Sequence, residues 1–249
     1  MTHHPTPTAP VRVLLALVTA LLLAATAACG GGGAPSTEPG IADESGEPVT
    51  DDTDIDRLAG HLADLGRDNI AEIVEDRENT DVTALEAPYL TDWTLYRIAH
   101  RGPAQDLEYI VGDGPDEALF LRADPDSFAR MLAEDGVEID SGTTAETIAR
   151  DYLYATRPTD FHSYVVDGTD DIKLSKSEEE KERPRIEREH GEDVHPPKAA
   201  EGSSGEYTVT AYTVYGMSLQ RHTIAFGPDG AVDDNVDTLA DDLPTPVSL

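Results

Sequence analysis

The chain has 249 residues, enough for one ordinary domain or two small ones, and 39% of them are hydrophobic, compatible with a modest core. Asp and Glu number 50 against 18 Lys and Arg, a formal charge of −32, and that sign disfavours nucleic acid and anionic lipid headgroups as partners. It leaves cations, basic proteins or no charged partner, and it keeps an exposed protein soluble and monomeric.

The first twelve residues contain no acid, and Arg12 stands just before an apolar run from Val13 to Ala25, broken only by Thr19. The run covers about 13 residues, whereas a helix needs about 20 to span a bilayer. A basic start, a short apolar run and small residues after it are the pattern of a secretory signal segment. The run ends in Thr26-Ala27-Ala28-Cys29, followed by four glycines, and Cys29 is the only cysteine. A disulfide within the chain needs a second cysteine. A zinc site needs neighbouring ligands, and the nearest histidines in sequence are His3, His4 and His61.

The stretch Thr26–Gly30 resembles the lipobox of bacterial lipoproteins, with Thr26 where that family usually has an aliphatic residue. The resemblance covers only the first thirty or so residues. It implies a diacylglyceryl group on the Cys29 sulfur, cleavage just before Cys29, and a protein held on the extracytoplasmic face of the cell membrane. Two acyl chains suffice for stable anchoring where one does not. Cleavage after Ala28 without lipidation is the alternative. Residues 1–28 are thus assigned to the signal peptide and 29–53 to a lipidated cysteine and a tether. The tether is built from Gly, Pro, Ser, Thr and acids, and its composition predicts disorder. At about 24 residues its random-coil span is on the order of 25–30 Å.

A domain is expected over 54–249. Ile55, Leu58, Leu62, Leu65 and Ile73 recur at helical spacing, with Gly66 and Asn69 as a break. Trp93–Gly102, Leu107–Gly114 and Glu117–Ala123 read as strands joined by turn-rich links. Asp124, Pro125 and Gly136 punctuate a helix as cap, first residue and left-handed terminus. A second helix opens on Thr143 with Glu146, spaced as a capping box, and stops at Pro158. Phe161–Gly168 is a strand. Residues 175–205, charged and then rich in Pro, Ser and Gly, read as a flexible insertion. Glu206–Gly216 and Met217–Gly230 form a hairpin, followed by a short strand at Ala231–Asp233 and a helical turn at Asp237–Asp242. The order implies an α+β fold: an antiparallel sheet with helices packed on one face, in a single domain after a disordered tether.

Beyond Cys29 no catalytic, cofactor-binding or metal-ligating residue is assigned. The chain after the leader lacks G-x-S-x-G, P-loop, dinucleotide and H-E-x-x-H patterns. His190 and His195 flank Glu192 and Asp193 without a helical metal spacing, and His61, His162 and His222 read as boundary residues. Asp113, Asp116 and Glu117, then Asp167, Asp170 and Asp171, then Asp229, Asp233, Asp234 and Asp237 supply oxygen ligands in turns, none in the EF-hand order. The sequence therefore predicts a lipid-anchored, monomeric, non-enzymatic domain that binds an unidentified protein or small molecule. An acidic calcium-binding protein is the alternative, and a hydrolase with an unobvious site ranks below it. The hydrolase reading gains if a nucleophile and a base stand within hydrogen-bond reach in a cleft.

Overall fold

The structure is a computed structural model that describes residues 46–246, apart from residues 104, 204, 228 and 229. The leader, Cys29 and most of the expected tether lie outside the described residues. The chain adopts the α+β class expected of it, with its strands sorted into two antiparallel sheets.

The first sheet is a meander: β1 (Gly46–Pro48), β2 (Thr80–Leu85), β3 (Thr94–Arg101), β4 (Asp106–Asp113) and β5 (Ala118–Phe120), in that spatial order. The strand β1 thus lies inside the segment assigned to the tether. Val49 explains why. It is among the few sizeable apolar residues there, it packs against the core, and its N–H donates to the Val82 carbonyl at 2.9 Å. Asp51 then caps α1 (Asp52–Asp64) by accepting from the Thr53 N–H at 2.8 Å. Gly66, at φ +74°, ends the turn before α2 (Asp68–Glu75). These two helices cover one face of the sheet, burying Ile55, Leu58, Leu62, Ile70 and Val74 against Val82, Tyr96, Ile98 and Val111.

The alternate residues Leu95, Ile110 and Leu119 point to the other face, against α3 (Pro125–Glu134) and α4 (Gly142–Ala155). Asp124 caps α3 as its sequence predicts, and Gly136 takes φ +67° just after it. Phe128, fully buried, meets Tyr152 edge-on at 5.5 Å between ring centres, and truncating a core Phe of this kind costs about 3–5 kcal/mol. The cap of α4 differs from expectation. Ser141, not Thr143, accepts from the Thr144 N–H at 3.1 Å, and Glu146 reaches away to accept from the Ala199 N–H at 2.9 Å.

The second sheet packs on the far side of α3 and α4. Its order is β10 (Val232–Ala240), β9 (Ser218–Phe226), β8 (Tyr207–Tyr215), β6 (Ser163–Val165). A further strand, β7 (Lys198–Glu201), shares the same edge of β8: it pairs with Tyr207–Thr210 while β6 pairs with Thr213–Tyr215. Gly216, at φ +57°, supports the tight β8–β9 turn. The helical turn expected at Asp237–Asp242 is absent: β10 runs on to Ala240, because the ladder to β9 supplies the pairing that its acid-rich sequence conceals.

The outer face of this sheet carries the segment expected to be a flexible insertion. Residues 179–190 form α5 (Glu179–His190), preceded by a 3₁₀ turn at Thr169–Asp171. The composition misleads because two apolar residues suffice: Ile186 and Val194 are buried with Val166, Ile172, Tyr212, Val214 and Leu219. Arg183 adds hydrogen bonds to the carbonyls of Thr169 and Ile172, at 2.6 and 2.8 Å. Arg185 pairs with Glu182 and Glu189, one turn away on either side, at 2.7 and 2.8 Å.

Candidate functional site

The inner face of the second sheet changes character along its strands. Under α4 it is apolar, with Val209 and Ala211 from β8 and Ile224 and Phe226 from β9. Two residues further along each strand, on the same face, it becomes polar: Thr213 and Tyr215, then His222 and Gln220. Asp234 and Val236 of β10 stand beside Ile224 and His222 in the register. The change falls where the helix cover ends. Thr156 folds its hydroxyl onto the Tyr152 carbonyl at 2.7 Å, and Pro158 prevents the chain from continuing as helix. Beyond this stop lies a cleft of about 360 Å³ between the end of α4, the start of α3 at Pro125, and the sheet. That volume lies at the small end of ligand pockets, about 300–1,000 Å³.

On its floor three side chains from adjacent strands join in a chain of hydrogen bonds. His222 Nδ1 is 2.9 Å from Asp234 Oδ2 and 3.1 Å from Oδ1, and its Nε2 is 2.9 Å from Thr213 Oγ1. An ionised carboxylate only accepts, so Nδ1 carries the proton and donates to Asp234. In the neutral form of that tautomer the Nε2 lone pair faces the Thr213 hydroxyl, which donates. Thr213 is 3% exposed and His222 8%, yet both line the cleft. Burial chiefly, with the nearby Asp234 charge second, pushes the Tyr152 hydroxyl up to about 12, so it stays protonated in the cleft wall.

A basic group stands at the other side. Arg157 pairs with Glu108, lies 4.5 Å over the Tyr154 ring, and lines the cleft. Arg122 donates to the Glu108 carbonyl at 3.1 Å, and Arg97 is 3.8 Å from the Glu108 carboxylate. Burial lowers His162, and the charges of Lys173, Arg157 and Arg122 lower it further. Phe161 (58% exposed) meets Tyr215, a lining residue, edge-on at 5.4 Å and sits over the Gly216 turn, while Val236 (44% exposed) forms part of the cleft wall.

Several other residues singled out in the sequence have local partners. His61 bonds Asp113 at 2.7 Å, and Arg57 bonds the other oxygen of the same carboxylate at 3.1 Å. His195 donates from Nδ1 to the Pro196 carbonyl, 2.7 Å away, and meets the Tyr212 ring edge-on. Asp167 pairs with Arg150, Asp237 with Arg221, and Glu117 with Arg130. Asp171 accepts from the N–H groups of residues 167 and 168. Among the described residues no group of three or more His, Cys, Asp or Glu side chains is placed to hold a metal ion. Cys29 and Asp229 lie outside the described residues.

His222 was legible as a histidine on a strand, and Asp234 as one acid of a turn. Nothing marked Thr213. The usable signal was the alternation itself: on β8 the residues sharing a face with Val209 and Ala211 turn polar at Thr213, and on β9 those sharing a face with Phe226 and Ile224 turn polar at His222. No protein-family model matches the chain, and no curated protein or solved structure does either.

Proposed function

We propose that this is a lipid-anchored extracytoplasmic domain that takes a small, largely apolar ligand into the cleft beyond the end of α4. The anchor rests on the lipobox-like Thr26–Cys29 and the short apolar run before it. One observation carries the binding reading: the hydrogen-bonded side chains of Thr213, His222 and Asp234 converge in one cleft with apolar side chains from the end of α4 and from β10. The fixed floor orients a polar group of the ligand, and Tyr152, Leu153, Pro158 and Val236 provide apolar walls.

Two measurements test the reading. Replacing Cys29 by alanine releases the protein from the membrane fraction or leaves an unprocessed precursor; a processed mutant that stays on the membrane contradicts the anchor. A thermal-shift screen of small apolar esters and amides finds compounds that stabilise the wild type, and V236R loses that stabilisation while folding normally. Equal shifts in both proteins, or none in the wild type, contradict the cleft.

A further inference from the structure

We infer that the cleft is catalytic: Thr213 is a nucleophile, His222 its general base, Asp234 the group that orients the base, and the substrate a short-chain acyl ester. The inference rests on reading the cleft as a ligand site and extends it to a reaction.

The arrangement meets the geometric requirements of nucleophilic catalysis in order. A hydroxyl must lie within hydrogen-bond reach of a base, and Thr213 Oγ1 is 2.9 Å from His222 Nε2. The base must hold the tautomer that leaves that nitrogen unprotonated, and Asp234 fixes it by accepting from Nδ1 at 2.9 Å. The pair must open on a space where a reacting carbon can sit, and Thr213, His222 and Asp234 all line the cleft. A donor for the developing oxyanion is at hand as well. Gln220 lies directly across from Thr213 in the β8–β9 register and lines the same cleft, and Ser163 of β6 adds a hydroxyl.

The surroundings argue against a merely structural network. The same face carries Val209, Ala211, Ile224 and Phe226 wherever α4 covers it, so an apolar floor was available. A buried polar cluster is costly unless every member is satisfied. Here the polar residues appear only where the helix cover stops and an open space begins. Leu153, Pro158 and Val236 in the wall and the small volume suit an acyl group of few carbons.

The reaction balances without a further reagent. The Thr213 oxygen bonds to the ester carbonyl carbon while its proton passes to His222 Nε2. The bond from that carbon to the alcohol oxygen breaks, and the departing alkoxide takes the proton from the imidazolium. Water then attacks the acyl-threonine with His222 again as base, giving a carboxylic acid and free Thr213. Ester and water yield acid and alcohol.

The test uses the mature chain with p-nitrophenyl butyrate as substrate and butyramide as an unreactive ligand, read by nitrophenol release and by thermal shift. T213V and H222Q are expected to lose about 100-fold or more of the turnover, while T213S, which keeps the hydroxyl, retains it. The pH profile of the wild type rises with deprotonation of one group, and H222Q abolishes that limb. Turnover that survives in T213V, or is absent in a wild type that butyramide stabilises, overturns the nucleophile and leaves the binding cleft standing. Absence of both turnover and stabilisation overturns the two together.

Discussion

Among the described residues two histidine–aspartate pairs are partly buried, and they differ in where the third partner sits. In the first, at the junction of α1 and β4, Asp113 has a fully buried side chain held by His61 on one oxygen and Arg57 on the other. The third group binds the carboxylate, so the charge is balanced and the assembly fastens a helix to a strand end. In the second, on the floor of the cleft, the third group is a hydroxyl on the far nitrogen of the imidazole. There the carboxylate holds one nitrogen of the ring while the other meets the hydroxyl of a residue that lines the cleft. The same two residue types make a clamp in one place and a relay in the other. The topology of the bonds decides which, more than the identity of the pair.

This contrast can be broken by substitutions at the two sites. The largest effect expected on activity is the loss on removing Thr213 or His222. On stability the largest effect belongs to the clamp. Asp113→Ala leaves Arg57 with Asp54 alone and His61 without its partner, and is expected to cost about 3 kcal/mol in urea unfolding, since two hydrogen bonds to a buried carboxylate are lost, each worth about 1.5–3 kcal/mol. Ester turnover of the remaining folded protein should be unchanged. A collapse of turnover in folded D113A would erase the distinction between the two pairs.

A third carboxylate sharpens the comparison, because the group that hydrogen-bonds it is a neutral hydroxyl. Asp151 on α4 accepts from the Tyr89 hydroxyl at 2.9 Å. Burial raises it to about 7, against the lowering influence of that hydrogen bond and of Arg150. Its folded value lies above its unfolded value, so the native protein holds the proton more tightly. The stabilisation is fully present below about pH 4 and is lost as the pH rises through 7. Asp151→Asn keeps the acceptor for Tyr89 and removes the ionisation. It is expected to flatten stability between pH 4 and 7 and to gain about 2–3 kcal/mol at pH 8. An unchanged pH profile would show that Asp151 does not carry this dependence.

The fold was legible where local chemistry and tertiary packing agree. Asp124, Pro125 and Gly136 bound α3 as their types require, and the β8–β9 hairpin follows its alternation and Gly216. It was illegible where long-range contacts override composition. α5 is almost wholly charged, and Ile186 alone on that helix ties it to the core; β10 is acidic and is held by its ladder; β1 has three residues and a partner 35 positions on at its closest pair. Ser141 won the α4 cap because Glu146, the other half of the expected box, finds a partner on β7. The site was less visible still. Its three groups come from three strands, and only the register brings Thr213 and His222 diagonally together and sets Asp234 on the neighbouring strand. No spacing within one segment encodes that meeting.

The most direct test of the catalytic cleft is to find where an acyl group lands. The protein is mixed briefly with p-nitrophenyl butyrate, quenched in acid, and its peptides are mapped by mass spectrometry. Catalysis by the relay places one butyryl group on Thr213, and H222Q lacks it. Butyryl groups confined to other side chains, or the same Thr213 adduct in H222Q, would contradict it.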